Sequence, residues 1–163
     1  MNAQQTTQPA AQPTGRRRGD RLSRWVSFFL DGQCYGIDIL QVQEVLAKAE
    51  IEPVPRAPSD VLGVINLRGS IVTVVDLRMR LGLPPPPDAS GVVVVADVGG
   101  QIVGLRVDRV AEVLNIAEGA IKPAPAAGAR GSAARVRGIV NRKTDLLTLL
   151  DVPALLNLDV AAA

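Results

Sequence analysis

The stretch GVINLRGSIVTVVDLR, residues 63–78, joins two apolar runs through a polar turn. Between the runs, Asn66, Arg68 and Gly69 favour a turn in water. The stretch therefore predicts a β-hairpin whose tip carries the charged side chain of Arg68. The second run is rich in branched aliphatic residues, which favour a buried sheet: Ile71, Val72, Val74 and Val75.

This hairpin is part of an internal repeat. Gly63-Val64-Ile65-Asn66 matches Gly138-Ile139-Val140-Asn141 at an offset of 75 residues, and 32–36 matches 100–104 at an offset of 68. Because the offset changes only between matched blocks, we expect two copies of one β-rich unit with loops of different length. The first offset also pairs Arg68 with Lys143, Thr73 with Thr148 and Asp76 with Asp151, and the second pairs Val42 with Val110, Glu44 with Glu112 and Val45 with Val113.

Each copy is predicted to contain about five short strands. Asp31-Gly32 and Gly99-Gly100 are hairpin dipeptides, since glycine tolerates a positive φ. Asp76 and Asp151 are predicted to cap a short closing helix in each copy. The predicted strands are 25–30, 33–39, 42–46, 61–67 and 70–75 in the first copy and 92–98, 101–107, 110–114, 135–141 and 145–150 in the second. The segments 42–46 and 110–114 are equally compatible with short helical turns.

About five strands in each copy favour small barrels, because closure removes exposed sheet edges. The predicted fold class is therefore all-β with short helices, in which two five-stranded β-barrels pack together. Exchange of terminal strands between the barrels is left open. The predicted organisation is a disordered tail at 1–22, a first β-barrel subdomain at 23–83, a proline-rich linker at 84–91, a second β-barrel subdomain at 92–157 and a C-terminal tail at 158–163.

The composition excludes several kinds of chemistry. With 47% hydrophobic and 21% charged residues, the chain is expected to fold around a core. It contains no histidine and one cysteine, so neither a Ser-His-Asp arrangement nor a structural zinc site is predicted. Cys34 lies in a predicted strand and is interpreted as a small buried hydrophobic residue. We predict a protein that is not an enzyme and that has no metal and no cofactor.

The charge pattern offers a rival hypothesis. The net charge is +2, and the dense basic run is Arg16-Arg17-Arg18, with Arg21 and Arg24 nearby. A solvated tail explains this run, and contact with a membrane or nucleic acid is the alternative. A nucleic-acid-binding barrel would stack bases on exposed aromatic rings. The aromatic residues fall instead in or beside predicted core strands: Trp25, Phe28, Phe29 and Tyr35. The longest apolar run, 92–96, is too short to span a bilayer.

Several motifs in order carry a resemblance to a known family. YGIDILQVQEV at 35–45 is followed by GVINLRG at 63–69, VVDLR at 74–78 and GLRVD at 104–108. Over about residues 23–157 the chain resembles the CheW family of bacterial chemotaxis adaptors. The resemblance implies a pair of SH3-like barrels and a non-catalytic protein that couples chemoreceptors to the CheA histidine kinase. The implied location is cytoplasmic, in receptor arrays under the membrane.

The resemblance also implies partners and site residues. The partners would be the regulatory domain of a CheA-type kinase, the cytoplasmic hairpin tip of methyl-accepting chemoreceptors and other CheW-like domains in array rings. No nucleic acid and no direct membrane insertion are expected. An adaptor in a pilus-motility or biofilm pathway would have the same fold. The implied interface residues are Val42, Glu44, Gly63, Asn66, Arg68, Val92, Gly104, Val110 and Val113.

The roles of these residues remain open at this level. Arg68 either contacts the receptor tip directly or holds the hairpin that shapes the groove. If 42–46 is a strand, Val42 and Glu44 share one face, which would place a valine anchor beside an acidic rim. Gly63 and Gly69 are interpreted as positions that need glycine's backbone freedom.

Overall fold

A computed structural model describes residues 18–88, 90–124 and 135–156. Within these residues the chain forms ten strands, two short α-helices and three 3-10 helices (η). The strands are β1 (Leu22–Leu30), β2 (Gln33–Asp38), β3 (Val42–Leu46), β4 (Val61–Leu67), β5 (Ser70–Asp76), β6 (Val92–Val98), β7 (Gln101–Val107), β8 (Arg109–Ala117), β9 (Val136–Asn141) and β10 (Leu146–Leu150). The helices are η1 (Arg18–Asp20), η2 (Ile39–Gln41), α1 (Leu77–Arg80), η3 (Glu118–Ala120) and α2 (Val152–Leu155).

The strands form two five-stranded sheets, so the predicted all-β architecture with two five-stranded units is confirmed. The order is β8-β1-β2-β10-β9 in the first sheet and β3-β6-β7-β5-β4 in the second. These orders are equivalent under the internal repeat, because β1 to β5 correspond in turn to β6 to β10. The segments 42–46 and 110–114, for which a helical turn remained possible, are both in strands.

Each half of the chain contributes to both sheets. The first half places β1 and β2 in the first sheet and β3, β4 and β5 in the second, and the second half does the reverse. The exchanged part is therefore the whole opening hairpin of each half. Each sheet contains two joins between the halves. One is an antiparallel pair, β1 with β8 and β6 with β3, and the other is a parallel pair, β2 with β10 and β7 with β5. The pairs within each half are antiparallel.

The start of the fold lies inside the segment predicted as a tail. Arg18–Asp20 forms η1, and β1 begins at Leu22, which pairs with Ala117. The rest of the predicted tail, including Arg16 and Arg17, lies outside the described residues, as does the C-terminal tail at 158–163.

The main apolar core lies between the two sheets. Phe28 and Ile37 from the first sheet and Val94 and Leu105 from the second are completely buried in it. Two smaller clusters lie within the separate sheets, around Trp25 in the first sheet and around residues such as Val74 in the second. The predicted burial of the aromatic residues is confirmed for Trp25, Phe28 and Tyr35, while Phe29 is half-buried.

One residue of the β4–β5 hairpin departs from its predicted burial. Val72, Val74 and Val75 are buried, but Ile71 is 69% exposed. Ile71 pairs with Asn66 beside the hairpin tip, where the sheet ends, so burial of its side chain on either face is incomplete. An exposed branched aliphatic side chain next to Arg68 therefore belongs to the surface of the hairpin.

Candidate functional site

The tip of the β4–β5 hairpin is a two-residue turn. Arg68 and Gly69 have φ of 52° and 87°, and the flanking Leu67 and Ser70 are paired. Positive φ at both central residues matches a type I′ turn, which suits the twist of a hairpin. Asn66 supports the turn, because its Oδ1 accepts a hydrogen bond from the Gly69 amide at 3.0 Å. Positive φ is uncommon for arginine, and here the turn type requires it, as it does for Asp31 in the β1–β2 turn.

Arg68 forms an ion pair with Glu44 on the far edge strand of the same sheet. Its Nη2 lies 2.9 Å from Oε2 of Glu44, although the arginine side chain remains 78% exposed. β3 and β4 are the two edges of the second sheet, so this contact brings the edges together. The other carboxylate oxygen of Glu44, Oε1, is buried without a hydrogen-bond partner. The pair therefore links the two edge strands through their side chains and leaves one buried carboxylate oxygen without a hydrogen-bond partner.

Two grooves flank this hairpin. One, of about 450 Å³, runs between the end of β3 and β4, and another, of about 520 Å³, runs between β5 and the β6–β7 turn. Leu67 and Ile71 line both grooves, so they form the apolar ridge that separates them. Neither residue was among the predicted site residues. Their signal was present in the sequence, as two large aliphatic side chains that flank an exposed turn.

Val42 and Glu44 point to opposite faces of β3, so the expectation of a shared face is wrong. Their partners on β6 are the consecutive residues Ala96 and Val95, because the register shifts between Val42 and Glu44. Ala96 belongs to the core between the sheets, and Val95 belongs to the cluster inside the second sheet. A β-bulge at Gln43 breaks the period of two on which the expectation depended.

The bulge recurs in the second copy. Between Val110, opposite Phe28, and Val113, opposite Val26, β8 has one more residue than β1. The buried hydroxyl of Ser27 fills the gap, donating to the Glu112 carbonyl at 2.8 Å and accepting from the Glu112 amide at 3.1 Å. The bulge is thus a property of the repeated unit.

The predicted valines lie around the core between the sheets. Val42, Val92 and Val110 are half-buried and pack against its edge. Val113 is 47% exposed on the edge strand β8. Its repeat equivalent Val45 is 43% exposed on the edge strand β3, which sequence analysis did not select. The predicted site residues thus fall into two sets. One is the polar group at the hairpin tip, and the other is the set of valines at the rim of the core.

Gly63 and Gly104 lie where another residue would collide with its surroundings. A Cβ on Gly63 would be 2.0 Å from the carbonyl oxygen of Glu52, and its φ is +147°. A Cβ on Gly104 would be 3.0 Å from methyl groups of both Val74 and Val93. The interpretation of Gly63 as a position that needs glycine agrees with this geometry.

Comparison with known proteins decides the family. The model of the CheW-like domain matches residues 24–160. The chain belongs to the CheW-like domain family. It is 33% identical over 139 residues to a probable chemotaxis protein CheW of Rhizobium etli, covering 85% of this chain and 88% of that one. It is 34% identical over 131 residues to the chemotaxis protein CheW of Klebsiella aerogenes, covering 80% and 79%. The crystal structure of the scaffolding protein TtCheW from Thermoanaerobacter tengcongensis superposes with a TM-score of 0.77 at 31% identity, covering 85% and 95%.

Two ion pairs of this CheW-like domain escaped sequence analysis. Parallel pairing places Asp76 opposite Arg106, with Oδ2 3.6 Å from Nη1. Two residues further along, Arg78 forms a bidentate pair with Asp108, with Nε to Oδ1 at 2.7 Å and Nη2 to Oδ2 at 2.5 Å. The motifs Asp-x-Arg and Arg-x-Asp are thus complementary at equal spacing. That complementarity is visible in the sequence, but its meaning depends on the parallel register of β5 and β7.

The charge of Asp108 should make stability depend on pH. Hydrogen bonds from Arg78 hold the pKa of the Asp108 carboxyl below its ordinary value. Because the folded-state pKa is depressed, the stabilisation is present at neutral pH and is lost as pH falls through the folded-state pKa. We expect Asp108→Asn to lower stability at pH 7 and to flatten its decline below about pH 4. Urea denaturation from pH 7 to pH 3 measures this, and a decline as steep as that of the wild type would contradict it.

The single cysteine is structural. Cys34 is 4% exposed, and burial raises the pKa of its thiol, which keeps the thiol protonated. Its interpretation as a small buried hydrophobic residue is confirmed. Among the described residues, no group of three or more histidine, cysteine, aspartate or glutamate side chains is placed to hold a metal ion. No helix in the described part of the chain is long and apolar enough to cross a membrane.

Proposed function

We propose that the protein is a non-catalytic chemotaxis adaptor that couples transmembrane chemoreceptors to a CheA-type histidine kinase. The observation that carries the proposal is membership of the CheW-like domain family over nearly all of the folded chain. Relatives at about one-third identity are chemotaxis CheW proteins, and a structural relative is a scaffolding protein. The location that follows is the cytoplasm, at membrane-associated receptor arrays.

The hairpin tip is the proposed polar contact. Among the residues that the structure describes, Glu44 is the hydrogen-bond partner of the exposed Arg68 guanidinium, which leaves other donors of that group open, and Oε1 of Glu44 is buried without a partner. Leu67 and Ile71 add apolar surface on both sides of the tip. Hot spots of protein interfaces are enriched in arginine and are surrounded by contacts that exclude water, the part that Leu67 and Ile71 would take here.

The valines at the rim of the core are the second proposed contact. Val42, Val92 and Val110 are half-buried, and Val113 presents an apolar side chain to solvent on an edge strand. Partly exposed aliphatic residues between two packed sheets suit an amphipathic helix, which binds through its apolar face. The helical hairpin tip of a receptor is the partner that we assign to this rim.

The proposal predicts a selective defect for Arg68→Ala. We expect recruitment of the kinase to receptor-containing membranes to weaken about tenfold or more, because the substitution removes the exposed guanidinium that the proposal places in the interface. The fold should persist, since an ion pair with so exposed an arginine contributes under about 1 kcal/mol to stability. Co-sedimentation of kinase with membranes, together with the kinase phosphorylation rate, measures the effect.

Lys143→Ala is the matched control. Lys143 occupies the repeat-equivalent position at the β9–β10 tip, is exposed and carries the same charge. Among the described residues it forms no ion pair, so its loss should change recruitment by less than about twofold. Equal effects of the two substitutions would mean that Arg68 contributes only its positive charge and makes no specific contact. Recruitment that does not depend on the wild-type protein would overturn the adaptor proposal.

A further inference from the structure

Two crossovers carry the chain between the sheets. We define the first crossover as η2 (Ile39–Gln41), between β2 and β3, and the second crossover as Asp108, between β7 and β8. They are equivalent under the repeat, because Leu40 matches Asp108 at the offset that relates Gly36 to Gly104. Their surroundings, however, differ completely.

The second crossover is held by a network of charged groups. Arg78, whose side chain is 11% exposed, forms the bidentate pair with Asp108, and its Nη1 also lies 3.8 Å from Oδ1 of Asp31. Asp108 in turn accepts from the amide of Asp31 at 2.9 Å, and its own amide donates to the carbonyl of Phe29 at 3.1 Å. Arg78 Nη1 also donates to the Pro84 carbonyl at 3.2 Å. The network therefore joins α1 and the linker of one sheet to the β1–β2 turn of the other.

The first crossover has none of these charged partners. Pro153 occupies the position that matches Arg78, and Leu40, which matches Asp108, is 88% exposed. The amide of Leu40 donates to Oδ1 of Asp38, two residues earlier in the chain, at 2.9 Å. Just after this crossover, Gln43 on β3 donates a hydrogen bond of 3.5 Å to Asp97 near the end of β6. A cavity of about 110 Å³ lies beside this crossover, lined by residues that include Asp38 and Pro153.

A third link lies midway between the crossovers. Arg80 Nε donates to the Leu155 carbonyl at 2.7 Å and so joins α1 to α2. Arg80 and Leu155 are themselves equivalent at an offset of 75, which places this contact near the axis that relates the two copies. The sheets are thus tied by charged groups at the centre and at one end.

We propose that Arg78 is a positioning residue that fixes the second crossover, so that movement between the two sheets is concentrated at the first crossover. The consequence falls on two matched valines. Val110 follows the fixed crossover, whereas Val42 follows the compliant one, and both pack at the rim of the core. A partner bound to that rim therefore contacts Val110, whose position is fixed, and Val42, whose position can adjust. This functional consequence rests on the proposed adaptor function, but the mechanical asymmetry does not.

Amide hydrogen exchange on the free protein, resolved by NMR, tests the asymmetry. We expect the protection factor at Asp108 to exceed that at Leu40 by about tenfold or more. In Arg78→Ala, protection at Asp31 and Asp108 should fall by about tenfold or more, because a partly buried bidentate ion pair and its hydrogen bonds are lost. Protection at the core strand residue Leu147 should fall less.

Arg142→Ala is the matched control for that variant. Arg142 forms an equally close bidentate pair with Asp145, at 2.7 and 2.6 Å, but within one hairpin of the first sheet. Its loss should change protection at Asp31 and Asp108 by less than about twofold. Unchanged protection at Asp31 and Asp108 in Arg78→Ala would overturn the proposal, as would equal effects of the two substitutions.

A gain-of-contact variant tests the other crossover and does not require Arg78→Ala to fold. Leu40→Asp with Pro153→Arg installs the missing pair at the matched positions. We expect protection at residue 40 and at Val42, whose amide donates to the Ile39 carbonyl, to rise about tenfold. Unchanged protection there in a folded variant, or failure of the variant to fold, would overturn the claim that the missing clamp leaves this crossover compliant.

The same double variant links the asymmetry to coupling. In the co-sedimentation assay, we expect kinase recruitment within about twofold of wild type but kinase activation reduced several-fold. Unchanged activation would overturn the functional consequence while leaving the exchange result intact. If the wild-type protein recruits no kinase, the adaptor proposal fails, and the exchange measurements still decide the mechanical one.

Discussion

Gly63→Ala is expected to lower the free energy of unfolding by about 3–5 kcal/mol, a large part of the stability of an ordinary domain. The added Cβ would lie 2.0 Å from the carbonyl oxygen of Glu52 and 2.6 Å from its carbonyl carbon. Both groups are backbone, so relief requires the chain at Glu52 to move. That movement would break two hydrogen bonds, from Glu52 N to Val64 O at 2.8 Å and from Val64 N to Glu52 O at 2.9 Å. The φ of +147° adds strain for any residue with a side chain.

Substitutions at two other glycines provide comparisons for this prediction. Gly138 is the repeat equivalent of Gly63, but its nearest contact would be a methyl group of Ile121 at 2.4 Å, with backbone no closer than 2.9 Å. Gly138→Ala should cost less, about 1–3 kcal/mol, since a side chain can rotate away. Gly19→Ala meets only a Cα at 3.7 Å and should stay within about 0.5 kcal/mol of wild type. Urea denaturation at neutral pH measures all three, and equal losses for Gly63→Ala and Gly19→Ala would refute the packing argument.

Asp76→Ala is expected to destabilise the protein by about 3–5 kcal/mol, because it removes two functions of one buried carboxylate. Asp76 is 4% exposed and caps α1 by accepting from the amide of Arg78 at 2.9 Å. Its Oδ2 also faces the guanidinium of Arg106, whose side chain is 11% exposed. Without Asp76 that cation stays largely buried and loses its carboxylate partner.

Asp151→Ala separates the two contributions. Asp151 is the repeat equivalent of Asp76 and caps α2 by accepting from Ala154 N at 3.2 Å. The position that matches Arg106 is Asp38, and among the described residues Asp151 forms no ion pair. Loss of the cap alone should cost about 1 kcal/mol. Thermal and urea denaturation of the two variants give the comparison. If they lose the same stability, the Asp76–Arg106 pair contributes nothing beyond the cap.

The local elements of this fold could be predicted because their signals are short-range. Runs rich in branched aliphatic residues on either side of Gly99-Gly100 predicted β6 and β7. The dipeptides Asp31-Gly32 and Gly99-Gly100 predicted the turns. Asp76 and Asp151 cap their helices as their position after a strand predicted. The all-β class and the internal duplication needed nothing beyond these patterns and the two sequence offsets.

The candidate site was predictable only in part. Arg68 was selected by its place at a hairpin tip, and Glu44 by resemblance to a family, but nothing in their spacing indicated that they touch. Their contact depends on the curvature of the second sheet, which brings β3 to the β4–β5 tip. The opposite orientation of Val42 and Glu44 depends on the bulge at Gln43. A bulge adds one residue without an unusual composition, so a period of two is a misleading guide there.

The sequence by itself determined eight of the ten strands, where they turn, and that one unit occurs twice, while it left 42–46 and 110–114 open between strand and helical turn. Only the tertiary structure decided which strands share a sheet, because the local sequence of a hairpin does not specify which distant strands its edges pair with. Each opening hairpin joins the sheet of the other half, and the parallel register of β5 with β7 then places Asp76 against Arg106 and Arg78 near Asp108. Ion pairs between distant motifs form wherever packing brings opposite charges together. The two copies therefore share a fold but differ in how their crossovers are held.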